Sequence, residues 1–248
     1  MKAYLTSSIG GAIKEDGNRI PDKLFRYNGF LDRLKRDWVP DSRMLFIAAS
    51  PEDYEKNDEV CECFRQSFPM SGLSIASLDI CDNRNPAIVD RISEMDVLLL
   101  SGGHVPTEND FFTGIGLREK LADYEGILIA WSAGSMNCAE NVYAPPELDG
   151  EALDPDYKRW FPGLGLTDIN IFPHYQYLKD EWLDGYRIME DITYKDSIGH
   201  EIIAMNDGTY IYVEDGTQTL YGEAYRIKDG KVDRICQDGS SISLDTIR

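Results

Sequence analysis

Cysteine, histidine and positive charge are all scarce in this 248-residue chain, and each scarcity closes a route to function. The five cysteines, Cys61, Cys63, Cys81, Cys138 and Cys236, are odd in number and widely scattered. They make no disulfide framework, and they suit a reducing compartment. Cys61-Glu62-Cys63 is the only close pair; its spacing is not that of a C-x-x-C site and no second pair answers it. The thiols therefore read as small buried hydrophobes, and no metal is implied. Lys and Arg number 25 against 44 Asp and Glu, a formal charge of -19. That balance argues against a sequence-independent nucleic-acid surface and against an anionic-membrane surface. No apolar run approaches the roughly 20 residues that span a bilayer, and the opening Met-Lys-Ala-Tyr-Leu-Thr-Ser-Ser has no signal-peptide core. These absences lead to the expectation of a soluble, cytoplasmic protein. A phosphate loop is disfavoured too, because no G-x-x-x-x-G-K pattern occurs.

With 42% hydrophobic residues, the chain can bury a sizeable core, and its length fits one α/β domain spanning residues 1–248. Short apolar runs alternate with segments of helical period. Strands are expected at Ala3–Thr6, Met44–Ala49, Leu73–Ser77, Val97–Leu100 and Ile127–Trp131, and helices at Pro21–Asp37, Asp53–Phe68, Pro86–Met95 and Thr107–Tyr124. This is the pattern of a doubly wound, mostly parallel sheet with helices on both faces. The part from Glu214 to Arg248 has Asp-Gly turn signals at 215–216, 229–230 and 238–239, so it reads as an antiparallel extension of short strands.

Such sheets place their working groups at the carboxyl ends of the strands. The most informative of these ends is Ile127-Leu128-Ile129-Ala130-Trp131-Ser132-Ala133-Gly134, where an apolar run stops at Ser132 and small residues follow at once. A nucleophile elbow has this form, with its serine exposed between a strand and a helix. Ala130 stands where the usual G-x-S-x-G pattern has its first glycine, and a serine that merely caps a helix fits the segment as well. A second end, Ser101-Gly102-Gly103-His104, follows a buried strand. Adjacent glycines there either bring backbone N–H groups close to a ligand oxygen or serve a tight turn of positive φ. On the first reading, the Gly103 and Ala133 N–H groups form an oxyanion hole. The third small and polar end is Thr6-Ser7-Ser8-Ile9-Gly10-Gly11.

Only three histidines are available as a base for Ser132. His174 ends an apolar strand at Pro173, the position a base requires. His104 adjoins the proposed oxyanion loop and is a candidate substrate contact, while His200 lies in a polar turn. The carboxylate that would orient the imidazole stays open between Asp207, in Asn206-Asp207-Gly208, and Glu147, in Pro145-Pro146-Glu147. Asn-Asp-Gly is equally a hairpin-turn sequence.

Taken together and in this order, Gly102-Gly103, Trp131-Ser132-Ala133-Gly134, Pro173-His174 and Asp207-Gly208 resemble the S51 serine peptidases, which include peptidase E and cyanophycinase. The resemblance implies a class I glutamine amidotransferase-like fold and a Ser-His-acid triad that works without cofactor or metal. Ser132 then matches the nucleophile and His174 the base. Asp207 stands where peptidase E has a glutamate before glycine, and Glu147 matches a second acidic position. The implied activity is hydrolysis of small peptides through an acyl-enzyme.

Two departures bear on specificity. His104 replaces the asparagine that commonly follows the paired glycines. The segment after His174, where peptidase E carries an arginine for the substrate's aspartate, has none clearly at the matching place, with Lys179 early and Arg187 late. Tyr175 and Tyr177, with Arg187, remain candidate substrate contacts. The alternative from another class is a non-catalytic, amidotransferase-like binding or regulatory module, and no oligomeric state follows from the sequence.

Overall fold

The computed structural model describes residues 1–246. Its centre is an eight-stranded sheet ordered Ser241–Ser243, Thr217–Tyr221, Tyr210–Glu214, Lys2–Thr6, Ile127–Trp131, Val97–Leu100, Ser42–Ile47 and Ile75–Cys81. The last five run parallel, and the first three join antiparallel. Strand alternation divides the apolar runs between two cores. Leu5, Leu98, Leu100, Leu128 and Ala130 face one side, together with Phe111, Phe112 and Leu117 of the helices Val105–Gly114 and Leu117–Leu121. Tyr4, Val97, Leu99, Ile127 and Ile129 face the other, against the helices Phe30–Asp37 and Tyr54–Met70. Both faces are covered, so the central strands are continuously apolar rather than alternating.

A second sheet of four strands is ordered Asn170–Phe172, Glu201–Met205, Ala224–Lys228 and Lys231–Cys236. Its first two strands are parallel, with Phe172 opposite Ala204. The segment beyond Glu214 is thus shared between the sheets, and Thr217–Tyr221 and Ser241–Ser243 extend the main one. Residues 247 and 248, included in the expected extension, lie outside the described residues.

The largest difference from the sequence pattern is at Pro21–Asp37. Only Phe30–Asp37 is α-helical, and residues 10–24 form a hairpin of Gly10–Glu15 with Asn18–Leu24. Asp16 and Gly17 both have positive φ, the condition of a two-residue hairpin turn, and Asn28 and Gly29 with φ of 54° and 74° delay the helix. The expected Thr107–Tyr124 helix starts earlier, with His104 as its N-cap, and divides before Gly116, whose φ is 62°. Leu73–Ser77 shifts to Ile75–Cys81, with Leu73 buried ahead of the strand. No helix among the described residues is long and apolar enough to cross a membrane.

Candidate active site

Ser132 follows directly on the central strand Ile127–Trp131 and precedes the short helix Ala133–Asn137. Its backbone sits at φ 52° and ψ −122°, and its side chain makes no capping hydrogen bond. A conformation this unusual for a residue with a Cβ costs about 1–3 kcal/mol and must be held by its surroundings. Thr6 supplies the hold: its carbonyl accepts from Ser132 N–H at 3.1 Å and from Ser135 Oγ at 2.8 Å. Gly134 is required by close packing, since a Cβ there would lie 2.6 Å from the Leu100 and Ser101 carbonyl oxygens. The elbow helix can reach the neighbouring strand end only without that atom.

His174 and Asp207 come from the second sheet, just beyond the carboxyl ends of its parallel strands. His174 is left-handed, with φ 55°, which turns the chain from its strand into the helix Tyr175–Leu178. The Asn-Asp-Gly segment is not a hairpin. It carries the chain from Glu201–Met205 in one sheet to Tyr210–Glu214 in the other, with Gly208 at φ 88°. The two sheets thereby bring three side chains into line. Ser132 Oγ lies 3.0 Å from His174 Nε2, and His174 Nδ1 lies 2.7 Å from Asp207 Oδ1.

Burial pushes the Asp207 carboxyl up, but hydrogen bonds from His174, Ser7 and Gln176 outweigh it and hold the group below its ordinary range. Asp207 is therefore an ionised acceptor, so Nδ1 carries the imidazole proton and the Nε2 lone pair faces Ser132. Ser7 was not singled out by the sequence beyond its place in a polar strand end. Its hydroxyl donates to Asp207 Oδ1 at 2.8 Å and accepts the His174 N–H at 2.8 Å.

Glu147 does not join this chain. It lines a pocket of about 270 Å³ that also contains Ser132 and His174, with apolar walls that include Phe172, Leu178 and Ile188. The residue has solvent access, yet protein surrounds its carboxyl. Burial, followed by the nearby Glu151 charge, pushes it up to about 8. An open pocket accounts for both the access and the surrounding protein.

Gly102 and Gly103 lack positive φ, so a left-handed turn is not what they serve. A Cβ on Gly102 would lie 2.9 Å from Ser132 Cβ, and one on Gly103 would lie 2.7 Å from Ala49 Cβ. Ala133 opens its helix, where an N–H has no intrahelical acceptor.

Other candidates fall outside the pocket lining. His104 binds Thr107 Oγ1 and Glu151 Oε1, each at 2.8 Å, and so ties the 147–151 loop to the helix start. Tyr175 is buried against Tyr225, and Tyr177 is exposed. Arg187 is exposed and paired with Asp191 at 3.0 Å, and Lys179 pairs with Asp180. His200 stacks on Trp160. Cys138 is fully buried, and burial pushes its thiol well above the ordinary range. Among the described residues no group of three His, Cys, Asp or Glu is placed to hold a metal ion.

Ser132, between a central strand and a short helix, thus faces His174 and Asp207 at the carboxyl end of a mostly parallel α/β sheet. The sequence profile of Peptidase family S51 matches residues 28–221, and the chain belongs to that family. Its fold is similar to the crystal structure of a protein from Listeria monocytogenes EGD-e described as a "Putative Peptidase E Protein". The two share 16% identity with a TM-score of 0.57, covering 95% of this chain and 98% of the other. No functionally curated protein matches the sequence.

Proposed function

We propose that this S51 peptidase is a serine-type enzyme that hydrolyses small peptides through Ser132, His174 and Asp207. The observation that carries the reading is the continuous hydrogen-bonded line from Ser132 Oγ through both imidazole nitrogens to Asp207, built on a strained elbow. In the first step His174 Nε2 takes the Ser132 proton as Oγ attacks the peptide carbonyl. Asp207 holds the imidazole in the required tautomer and stabilises its cation. The Gly103 and Ala133 N–H groups are the proposed donors to the oxyanion. His174 then gives the proton to the departing amine, and water activated by the same nitrogen releases the acid.

A pocket of about 270 Å³ favours a short substrate, since it is at the small end of ligand sites. The buried Cys138 thiol, donating to the Gly134 carbonyl, argues against the cysteine chemistry of amidotransferases. The five cysteines are free and buried, which supports a cytoplasmic setting.

The test is incubation of wild type and Ser132→Ala with a mixed dipeptide and tripeptide library, following amine release by mass spectrometry. Cleavage by wild type alone is expected. Cleavage by neither, in folded protein, would favour a binding module on the same fold.

A further inference from the structure

Asp207 lies in the crossover between the sheets, after Glu201–Met205 ends and before Tyr210–Glu214 begins, so no strand partner takes its backbone N–H. A partly buried N–H in that position needs an acceptor from elsewhere. It finds Gln176, whose side-chain Oε1 accepts it at 3.0 Å. Because Oε1 takes an N–H, the other arm of the amide is the NH2 and carries only donors. That arm adds to the contacts that hold the Asp207 carboxyl below its ordinary range.

Gln176 stands two residues after the base, in the short helix Tyr175–Leu178 that His174 opens. The His174 carbonyl accepts from Tyr177 N–H at 2.9 Å and from Leu178 N–H at 3.0 Å, so His174 and Gln176 share one hydrogen-bonded turn. The parallel pairing of Phe172 with Ala204 brings this turn and the Asp207 segment off the sheet side by side. Gly208 follows Asp207 with φ 88° and no Cβ, so the local backbone does not by itself fix where the carboxylate sits. The 2.7 Å contact between His174 Nδ1 and Asp207 Oδ1 is thus closed into a ring by a second link through Gln176.

We propose that Gln176 is a positioning residue of the Ser132–His174–Asp207 line, one carboxamide that grips the Asp207 backbone with its oxygen and turns its NH2 to the Asp207 carboxylate. The inference rests on the peptidase reading above. Ser7 holds the acid from the main sheet, and Gln176 holds it from the segment that carries the base. Gln176 acts through Asp207 and has no contact with the reacting atoms.

The test follows the rate constant of Ser132 labelling by a fluorophosphonate reagent in wild type, Gln176→Met and Gln176→Glu, from about pH 5 to about pH 9, the range in which an imidazole titrates. A rate constant, unlike a labelled fraction, is independent of how much of a variant is folded. Gln176→Met has nearly the same size and neither hydrogen bond, and is expected to lower the high-pH plateau about tenfold, as a misplaced general base would. Gln176→Glu keeps an acceptor for the Asp207 N–H and is expected to restore most of that plateau. Its added anion favours the imidazolium, so the midpoint of the rise in rate should move to higher pH by about half a unit or more. A Gln176→Met plateau within about twofold of wild type overturns the proposal and leaves the triad intact. An unmoved Gln176→Glu midpoint overturns it as well, because an anion held against Asp207 would be sensed by the imidazole. No adduct on folded wild type overturns the peptidase reading and the role of Gln176 with it.

Discussion

Ser7 donates its hydroxyl to the Asp207 carboxylate at 2.8 Å across 200 residues of sequence. The same oxygen accepts the His174 backbone N–H, so one side chain holds both His174 and Asp207. Ser7 is fully buried, and its removal leaves two polar groups short of a partner, at about 1–3 kcal/mol for an unsatisfied one. Ser7→Ala is expected to lower kcat about tenfold with KM little changed. Steady-state kinetics checks this split, and a change in KM alone would remove Ser7 from the positioning of the site.

Asp207 and Glu147 make opposite predictions as the triad acid. Asp207→Asn keeps the size but offers the imidazole no anion, so kcat should fall by about 10³–10⁴. Glu147→Gln leaves the Ser132, His174 and Asp207 contacts in place and should cost less than about tenfold. The reverse order of losses would identify Glu147 as the acid.

The raised Glu147 carboxyl also gives a pH signature. Its folded value of about 8 exceeds the ordinary 4.5, so between these the folded state binds more protons than the unfolded state. Its contribution to stability therefore declines as pH rises through that window and is level above it. Thermal midpoints of Glu147→Gln relative to wild type should rise from about pH 5 to about pH 8. Parallel curves would show a carboxyl as free in the folded chain as in the unfolded one.

Gly134→Ala tests the elbow without touching its hydroxyl. The added Cβ meets two backbone carbonyl oxygens at 2.6 Å, which no side-chain rotation relieves. Overpacking of this kind costs about 1–3 kcal/mol or more. Denaturant unfolding should report that loss, together with reduced turnover as the helix start is pushed from Ser132. Unchanged stability would mean that the helix and strand end are looser than their packing indicates.

Central strands were legible because burial on both faces writes itself as continuous apolar sequence, as in Val97–Leu100 and Ile127–Trp131. Ser132, His174 and Asp207 were each readable as polar residues at strand ends. Their convergence was implied only by the family resemblance, because it depends on two sheets meeting and no local pattern encodes that. The end of the strand Asn18–Leu24 was read into a helix because the apolar residues from Leu24 to Leu34 have helical spacing, although Asp16-Gly17 carried the hairpin's turn signal. Ser7 gave no signal of its own: a serine in a strand end becomes informative only through what faces it.

Whether Ser132 is an activated nucleophile is tested by a fluorophosphonate reagent, read by intact mass and peptide mapping. A single adduct on Ser132 is expected in wild type, none in Ser132→Ala, and slow labelling in His174→Ala. No adduct on folded wild type, or an adduct that survives Ser132→Ala, would contradict it.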